Sequence, residues 1–318
     1  MSDGVGSRAL RDRFRGCLAG LAVGDALGAP AEFLREEEVA ARYGRLDRYL
    51  DSAYWQAGQH TDDTEMALCI ARSLVENRAV APSDIAGRFV HWMVADGRGI
   101  GNQTHAVLSR VRAGEEPFAA SQAVWEERER QAAGNGGVMR CAPVGLFDWR
   151  DREALIAHSR ATCRLTHPDP RCEWSCVAVN TAIAELARGE RSVAEAVADV
   201  VAGQCPEVEA AIAQAQVTPV GALRVDGWDQ GYTIVTTRIA LAALFGGEPF
   251  AEALVSVVNR GGDADTNGAV AGALLGARDG YEAIPRPWRE GLLAHDEILA
   301  LADRLGEVAG TASAGEAD

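Results

Sequence analysis

An all-α chain folded as one domain is what this sequence predicts, and three observations predict it. Val and Ile runs with the two-residue alternation of a half-buried strand are nearly absent, whereas alanine, the best helix former, is abundant. Short apolar segments with helical spacing recur from end to end. No Pro-, Ser- or Gly-rich linker divides the 318 residues, which are ample for one sizeable core.

The spacing places helices at Arg13–Leu27, Thr64–Glu76, Ser83–Ala95, Thr104–Ala113, Arg152–Arg164, Glu173–Arg188, Ser192–Val201, Gly231–Phe245, Pro249–Val258, Asn267–Arg278 and His295–Ala309. The second and tenth each follow a cluster of Thr and Asp, residue types that cap a helix and put a carboxylate in its first turn. In the tenth, Gly268, Gly272 and Gly276 recur every four residues, a smooth stripe suited to close packing against another helix. That segment is too short, and too near acidic residues, to be a membrane dimerisation face. The glycines of Gly24-Asp-Ala-Leu-Gly-Ala-Pro30 read as a turn or a close backbone approach. Residues 1–12 read as a flexible N-terminus, 13–308 as the domain and 309–318 as a disordered tail.

Composition excludes several function classes. There are 31 Lys+Arg against 46 Asp+Glu, a formal charge of −15, and no basic run offers a nucleic-acid footprint. A small anion remains compatible, provided metal or helix N-termini offset the acidity. No apolar run approaches the roughly 20 residues of a membrane span, and the first residues lack a basic-then-apolar signal. The 7 cysteines are odd in number and scattered, which fits reduced, buried thiols in a cytoplasmic protein. Cys163, His167, Cys172 and Cys176 lie close in sequence, but their spacing matches no common zinc module.

Two clusters carry the chemistry: Thr61-Asp62-Asp63-Thr64 and Gly262-Asp263-Ala264-Asp265-Thr266-Asn267. Each sets paired carboxylates beside a threonine hydroxyl, an all-oxygen donor set suited to hard divalent cations. Adjacent carboxylates repel, so a shared positive charge is expected between them if they are buried. Two well-capped helices with no further role is the plainer alternative for either cluster alone.

The runs Arg15-Gly-Cys-Leu-Ala-Gly-Leu-Ala-Val-Gly-Asp-Ala-Leu-Gly-Ala-Pro-Ala-Glu32-Phe, Thr61-Asp-Asp-Thr64, Gly134-Asn-Gly-Gly-Val-Met-Arg140, Leu165-Thr-His-Pro-Asp169 and Asn259-Arg-Gly-Gly-Asp-Ala-Asp-Thr-Asn-Gly-Ala-Val-Ala-Gly272 together resemble the ADP-ribosylglycohydrolases. The motifs stand in the family's order and span about Arg13 to Trp288. The resemblance implies a compact all-α fold with a central site for two Mg²⁺ or Mn²⁺. It also implies cleavage of the bond between the distal ribose of ADP-ribose and its acceptor. Carried over by motif, Thr61, Asp62, Asp63, Asp263, Asp265 and Thr266 are the metal ligands, with Glu32, Asp63 and Asp265 nearest the chemistry. Asn135, Gly136, Gly137, Val138 and Met139 form the loop around the diphosphate and distal ribose. His167 falls near ribose or pyrophosphate, and Tyr232 toward the adenosine end.

The chemistry is consistent with those assignments. Divalent ions can polarise a water and hold ribose hydroxyls, and carboxylates favour the oxocarbenium character that develops as a glycosidic bond breaks. One departure concerns the acceptor side. Gly99 stands where many relatives carry an Asp linked to recognition of arginine, and Asp96 is the nearest replacement. The leading expectation is hydrolysis of ADP-ribosyl-arginine on protein, reversing ADP-ribosylation and serving as toxin immunity, by a monomer. The alternatives are hydrolysis of a free derivative such as O-acetyl-ADP-ribose, and non-catalytic ADP-ribose binding.

Overall fold

Gly16, Gly20, Gly24 and Gly28 face Gly276, Gly272, Gly268 and Ala264 across two antiparallel helices at the centre of the molecule. A Cβ at Gly24 would overlap the Gly268 carbonyl oxygen, and one at Gly272 would overlap that of Gly20. Only glycine lets the two backbones come so close. The predicted stripe on the tenth segment thus has a matching stripe as its partner. Gly24 and Gly28 lie inside a helix, so the close-approach reading holds and the turn reading does not.

The computed structural model describes residues 2–189 and 192–311. Its helices are α1 (Ser2–Gly28), α2 (Glu36–Tyr43), α3 (Asp62–Asn77), α4 (Pro82–Ala95), α5 (Asn102–Arg112), α6 (Pro117–Glu127), α7 (Ala142–Phe147) and α8 (Arg152–Arg164). They continue as α9 (Pro170–Arg188), α10 (Val193–Val201), α11 (Pro206–Val217), α12 (Thr233–Gly246), α13 (Phe250–Val258), α14 (Ala264–Asp279), α15 (Arg286–Gly291) and α16 (His295–Thr311). Among the described residues there is no strand, only the isolated bridges Arg35–Gly261 and Gly134–Tyr232. All eleven expected helices are present.

Helices α2, α6, α7, α11 and α15 were not anticipated, for reasons the structure makes plain. Helix α2 is short and opens with Glu36, Glu37 and Glu38, which complement the positive helix start rather than mark an apolar face. Helices α6 and α11 begin at Pro117 and Pro206, where a missing N–H costs nothing.

The α1–α14 pair forms the core, with α3, α9, α12, α13 and α16 packed around it. The expected boundary at residue 13 falls within α1: Arg11 and Arg15 both grip Asp303 of α16, at 2.8 and 2.7 Å through Nε. Helix α16 likewise runs past the expected end at 308 to Thr311, and the rest of the expected tail lies outside the described residues. The seven thiols are free and buried. No helix is long and apolar enough to cross a membrane, among the described residues.

Candidate active site

Helix α3 begins where Asp25 of α1 holds it. The fully buried Asp25 carboxylate accepts hydrogen bonds from Thr61 N at 2.9 Å, Thr64 N at 3.1 Å and the Thr64 hydroxyl at 2.5 Å. Thr61 caps the helix and donates its hydroxyl to Asp63 Oδ2 at 3.1 Å. Asp62 and Asp63 therefore sit in a first turn whose orientation is fixed by α1. Asp25 is thus the anchor of the first cluster.

The second cluster opens α14 after a turn at Gly261 and Gly262, both with φ of +67°. Gly262 N donates to Leu34 O at 2.7 Å and Phe33 N donates to Gly262 O at 2.6 Å, which sets Glu32 beside that cluster. Asn135 bridges the glycine loop to it, donating through Nδ2 to Asp263 Oδ2 at 2.7 Å and Thr236 Oγ1 at 3.1 Å.

One cavity of about 370 Å³ results, lined by both clusters: Asp62 and Asp63 from the first, Asp263, Asp265 and Thr266 from the second. Glu32, Gly99, Asn135, Gly136, Met139 and His167 share its wall. Four expected site residues do not. Thr61 lines a smaller neighbouring chamber of about 140 Å³. Val138 is in the core, and a Cβ at Gly137 would lie 2.6 Å from Cys163 Sγ, so that glycine packs on a thiol. Tyr232 is half-buried beneath the Arg171 guanidinium, 5.7 Å from its ring centre, while its neighbour Gly231 reaches the cavity. The sequence reading missed Phe33, Gln103 and Thr104, which also line it. Their signal was adjacency: Phe33 follows Glu32, and Gln103-Thr104 close the segment that begins at Gly99.

The electrostatics are those of crowded, unpaired anions. None of Asp25, Glu32, Asp62, Asp63, Asp263 and Asp265 forms a salt bridge with a described residue. Burial, Asp263 and Asp25 push Glu32 up to about 7, and burial with Asp25 pushes Asp62 up to about 8. Burial and the surrounding carboxylates raise Asp63 and Asp265 well above the ordinary range. Asp63 responds to Asp263, and Asp265 to Asp63 and Glu32, so clusters two hundred residues apart in sequence act on each other.

A hard divalent cation fits this donor set. Asp63 Oδ1 is buried with no hydrogen-bond partner among the described residues. As the side chains stand, no three Asp, Glu, His or Cys groups among the described residues form a closed cage. The carboxylates are instead turned to Thr61 and Asn135.

Residues 6–315 match the family model described as ADP-ribosylglycohydrolase. The chain belongs to the ADP-ribosylglycohydrolase family. It is 32% identical over 305 residues to the ADP-ribosyl-[dinitrogen reductase] glycohydrolase of Rhodospirillum rubrum, covering 92% of this chain and 97% of that one. It is 29% identical over 307 residues to the ADP-ribosylarginine hydrolase Tri1 of Serratia proteamaculans, covering 92% and 79%. A solved structure titled ADP-ribosylglycohydrolase-related protein complex superposes with a TM-score of 0.81 at 31% identity, covering 95% of this chain and 99% of that chain.

An open cleft of about 810 Å³ adjoins the cavity and shares Glu32, Phe33, Gly99, Gly101 and Asn102 with it. Gly99 has φ of +81°, and a Cβ there would overlap Asp62 Oδ1. The backbone and its neighbour are both shaped to glycine. Asp96, the expected replacement at this place, binds Arg98 through two hydrogen bonds, at 2.8 and 3.1 Å, and lies off the cavity wall.

Proposed function

We propose that this chain hydrolyses the bond between the distal ribose of ADP-ribose and its acceptor, with two Mg²⁺ or Mn²⁺ as cofactors and a protein arginine as the acceptor. The observation that carries the reading is the single cavity shared by two carboxylate clusters with no salt-bridge partner among the described residues. Asp62, Asp63, Asp263, Asp265 and the Thr266 hydroxyl would hold the cations. Bound there, they would supply Lewis-acid charge that aligns a water with the ribose hydroxyls.

The remaining roles fall to the chain itself. Glu32 lies at the join of cavity and open cleft, placed to exchange a proton with the water or the departing group. The surrounding carboxylates favour positive charge growing at the anomeric carbon. Gly136 offers its backbone N–H to the diphosphate-bearing side, Asn135 holds the loop against the second cluster, and the adjoining cleft leaves room for the acceptor.

The deciding experiment is release of ADP-ribose from ADP-ribosyl-arginine, ADP-ribosyl-serine and O-acetyl-ADP-ribose, each with Mg²⁺, with Mn²⁺ and with excess chelator. Release from the arginine conjugate only when metal is present is expected. Release from O-acetyl-ADP-ribose alone would move the acceptor to a free derivative. Binding of ADP-ribose with no release from any conjugate would leave a binder. Within that assay, Glu32→Gln should slow turnover by roughly 10²–10⁴-fold while keeping most ADP-ribose affinity. Asp265→Asn should weaken metal and ADP-ribose binding together.

A further inference from the structure

Behind the glycine loop a positive charge is buried without a counter-ion. Arg140 is 1% exposed and has no carboxylate partner among the described residues. Its Nη2 donates to Thr166 Oγ1 at 2.5 Å, Nη1 lies 3.6 Å from Met66 Sδ, and the guanidinium stacks 4.6 Å from the Phe89 ring centre. An uncompensated buried guanidinium is costly, so its placement invites a functional explanation.

The chain of contacts leads to the cavity. Thr166 Oγ1 lies 2.7 Å from His167 Nδ1, and Thr166 is fully buried. Guanidinium has donors only, so the threonine oxygen must accept from Arg140. The hydroxyl has one proton to give, and the acceptor within reach is Nδ1. The reverse arrangement, with Nδ1 protonated, would strand that hydroxyl proton in a dry interior at a cost of the order of one lost hydrogen bond. Nδ1 therefore carries the lone pair and Nε2 carries the hydrogen.

The other edge of the ring is where a donor is useful. His167 lines the cavity beside Gly134 and Gly136, and a Cβ at Gly136 would lie 2.7 Å from Cε1 and 3.1 Å from Nε2. The imidazole rests directly on the glycine loop. Its main chain is pinned as well: His167 N donates to Cys163 O at 2.9 Å, and Cys163 Sγ donates to His167 O at 3.2 Å. Burial, Arg140 and Arg128 together pull the ring down to about 3, so it is neutral wherever the protein is folded.

We infer that Arg140 and Thr166 are positioning residues that lock His167 as the neutral Nε2–H tautomer, presenting one fixed hydrogen-bond donor to an anionic oxygen of the diphosphate-bearing ligand. The ligand class rests on the function proposed above; the tautomer lock does not. His167 on this account is neither a proton shuttle nor a cation, and Arg140 acts on the ligand through it.

The test is the two-bond ¹⁵N–¹H spectrum of ¹⁵N-histidine-labelled full-length protein, with the His167 signal assigned by its loss in His167→Gln. The wild type should show protonated Nε2 and bare Nδ1, unchanged from pH 5.5 to pH 8. Thr166→Ser should keep that pattern. Thr166→Val, which removes the hydroxyl at nearly constant volume, should give mixed tautomers and an ADP-ribose Kd raised about 10-fold, with kcat changed much less than KM. A wild-type signal from Nδ1–H or imidazolium at pH 7 overturns the proposal, whether or not Thr166→Val folds. So does a folded Thr166→Val protein with unaltered tautomer and affinity. The predicted tautomer together with no ADP-ribose binding would leave the lock standing and remove the function proposed for the site.

Discussion

The two ends of the α1–α14 pair are built on opposite principles. Along the seam the glycines remove side chains so that two backbones touch, and the contact is dry, apolar and free of ionisable groups. Toward the Gly28–Ala264 end of the seam, Asp25 follows Gly24 by one residue and Asp265 precedes Gly268 by three, and the crowded carboxylates of the cavity lie there. The first region stabilises the fold through contact; the second opposes it through desolvation and repulsion. The rigid seam is what holds the repelling groups in place, and that strained charge is what a divalent cation would relieve.

The contrast breaks most severely at the seam. Gly24→Val should lower stability by roughly 4 kcal/mol or more, because no nearby side chain can move aside for the new methyls. Thermal and denaturant melts would show it, and a mild effect there would mean that the helices separate easily.

At the acidic end the sign reverses. Asp63→Asn should raise the melting temperature of the metal-free protein at pH 8, since losing one repelled carboxylate is worth on the order of 1 kcal/mol or more. The same change should cut turnover by at least about 100-fold, the pattern of a site that spends stability on function. Parallel melts and release assays of this variant separate the two effects.

Much of this contrast was legible in the sequence, and what was hidden had physical causes. Paired aspartates beside threonines announced two acidic helix starts, and Gly268, Gly272 and Gly276 announced a close contact, because both signals are local. The partner stripe on α1 was in view too, but Gly24 and Gly28 next to Pro30 look equally like a turn until the neighbouring helix is known. Tyr232 and Val138 were placed in the site by position within a motif, whereas Val138 is buried in the core and Tyr232 packs beneath Arg171. Arg140 and Thr166, 26 residues apart, meet because the loop between α8 and α9 lies against the segment that follows the glycine loop.

Smaller effects sharpen the picture at the acceptor side. Gly99→Ala should cost about 1–2 kcal/mol from its positive φ, and should push the Asp62 carboxylate out of line. A raised KM for the conjugate with little change in ADP-ribose affinity is the expected readout. Unaltered kinetics would detach Gly99 from the acceptor cleft.

The smallest expected effect is a pH slope in the metal-free protein. Glu32 is held at about 7 when folded against an ordinary 4.5, so across that window the native state keeps a proton the unfolded chain has lost. Its contribution to stability is fully present below about 4.5 and is lost as pH rises through 7. Wild type should therefore lose stability relative to Glu32→Gln between pH 5 and pH 8, with added Mg²⁺ or Mn²⁺ flattening the difference. Melts of the two proteins at four pH values would check both statements.

The most direct test of one shared cation site is calorimetric titration of the metal-free protein with Mn²⁺ and with Mg²⁺, beside Asp63→Asn and Asp265→Asn. The account predicts two ions bound per wild-type chain and a melting temperature that rises with metal concentration. It also predicts that a substitution in either cluster weakens the whole site. No binding by the folded wild type, or an Asp265→Asn protein that binds both ions as tightly as wild type does, would contradict it.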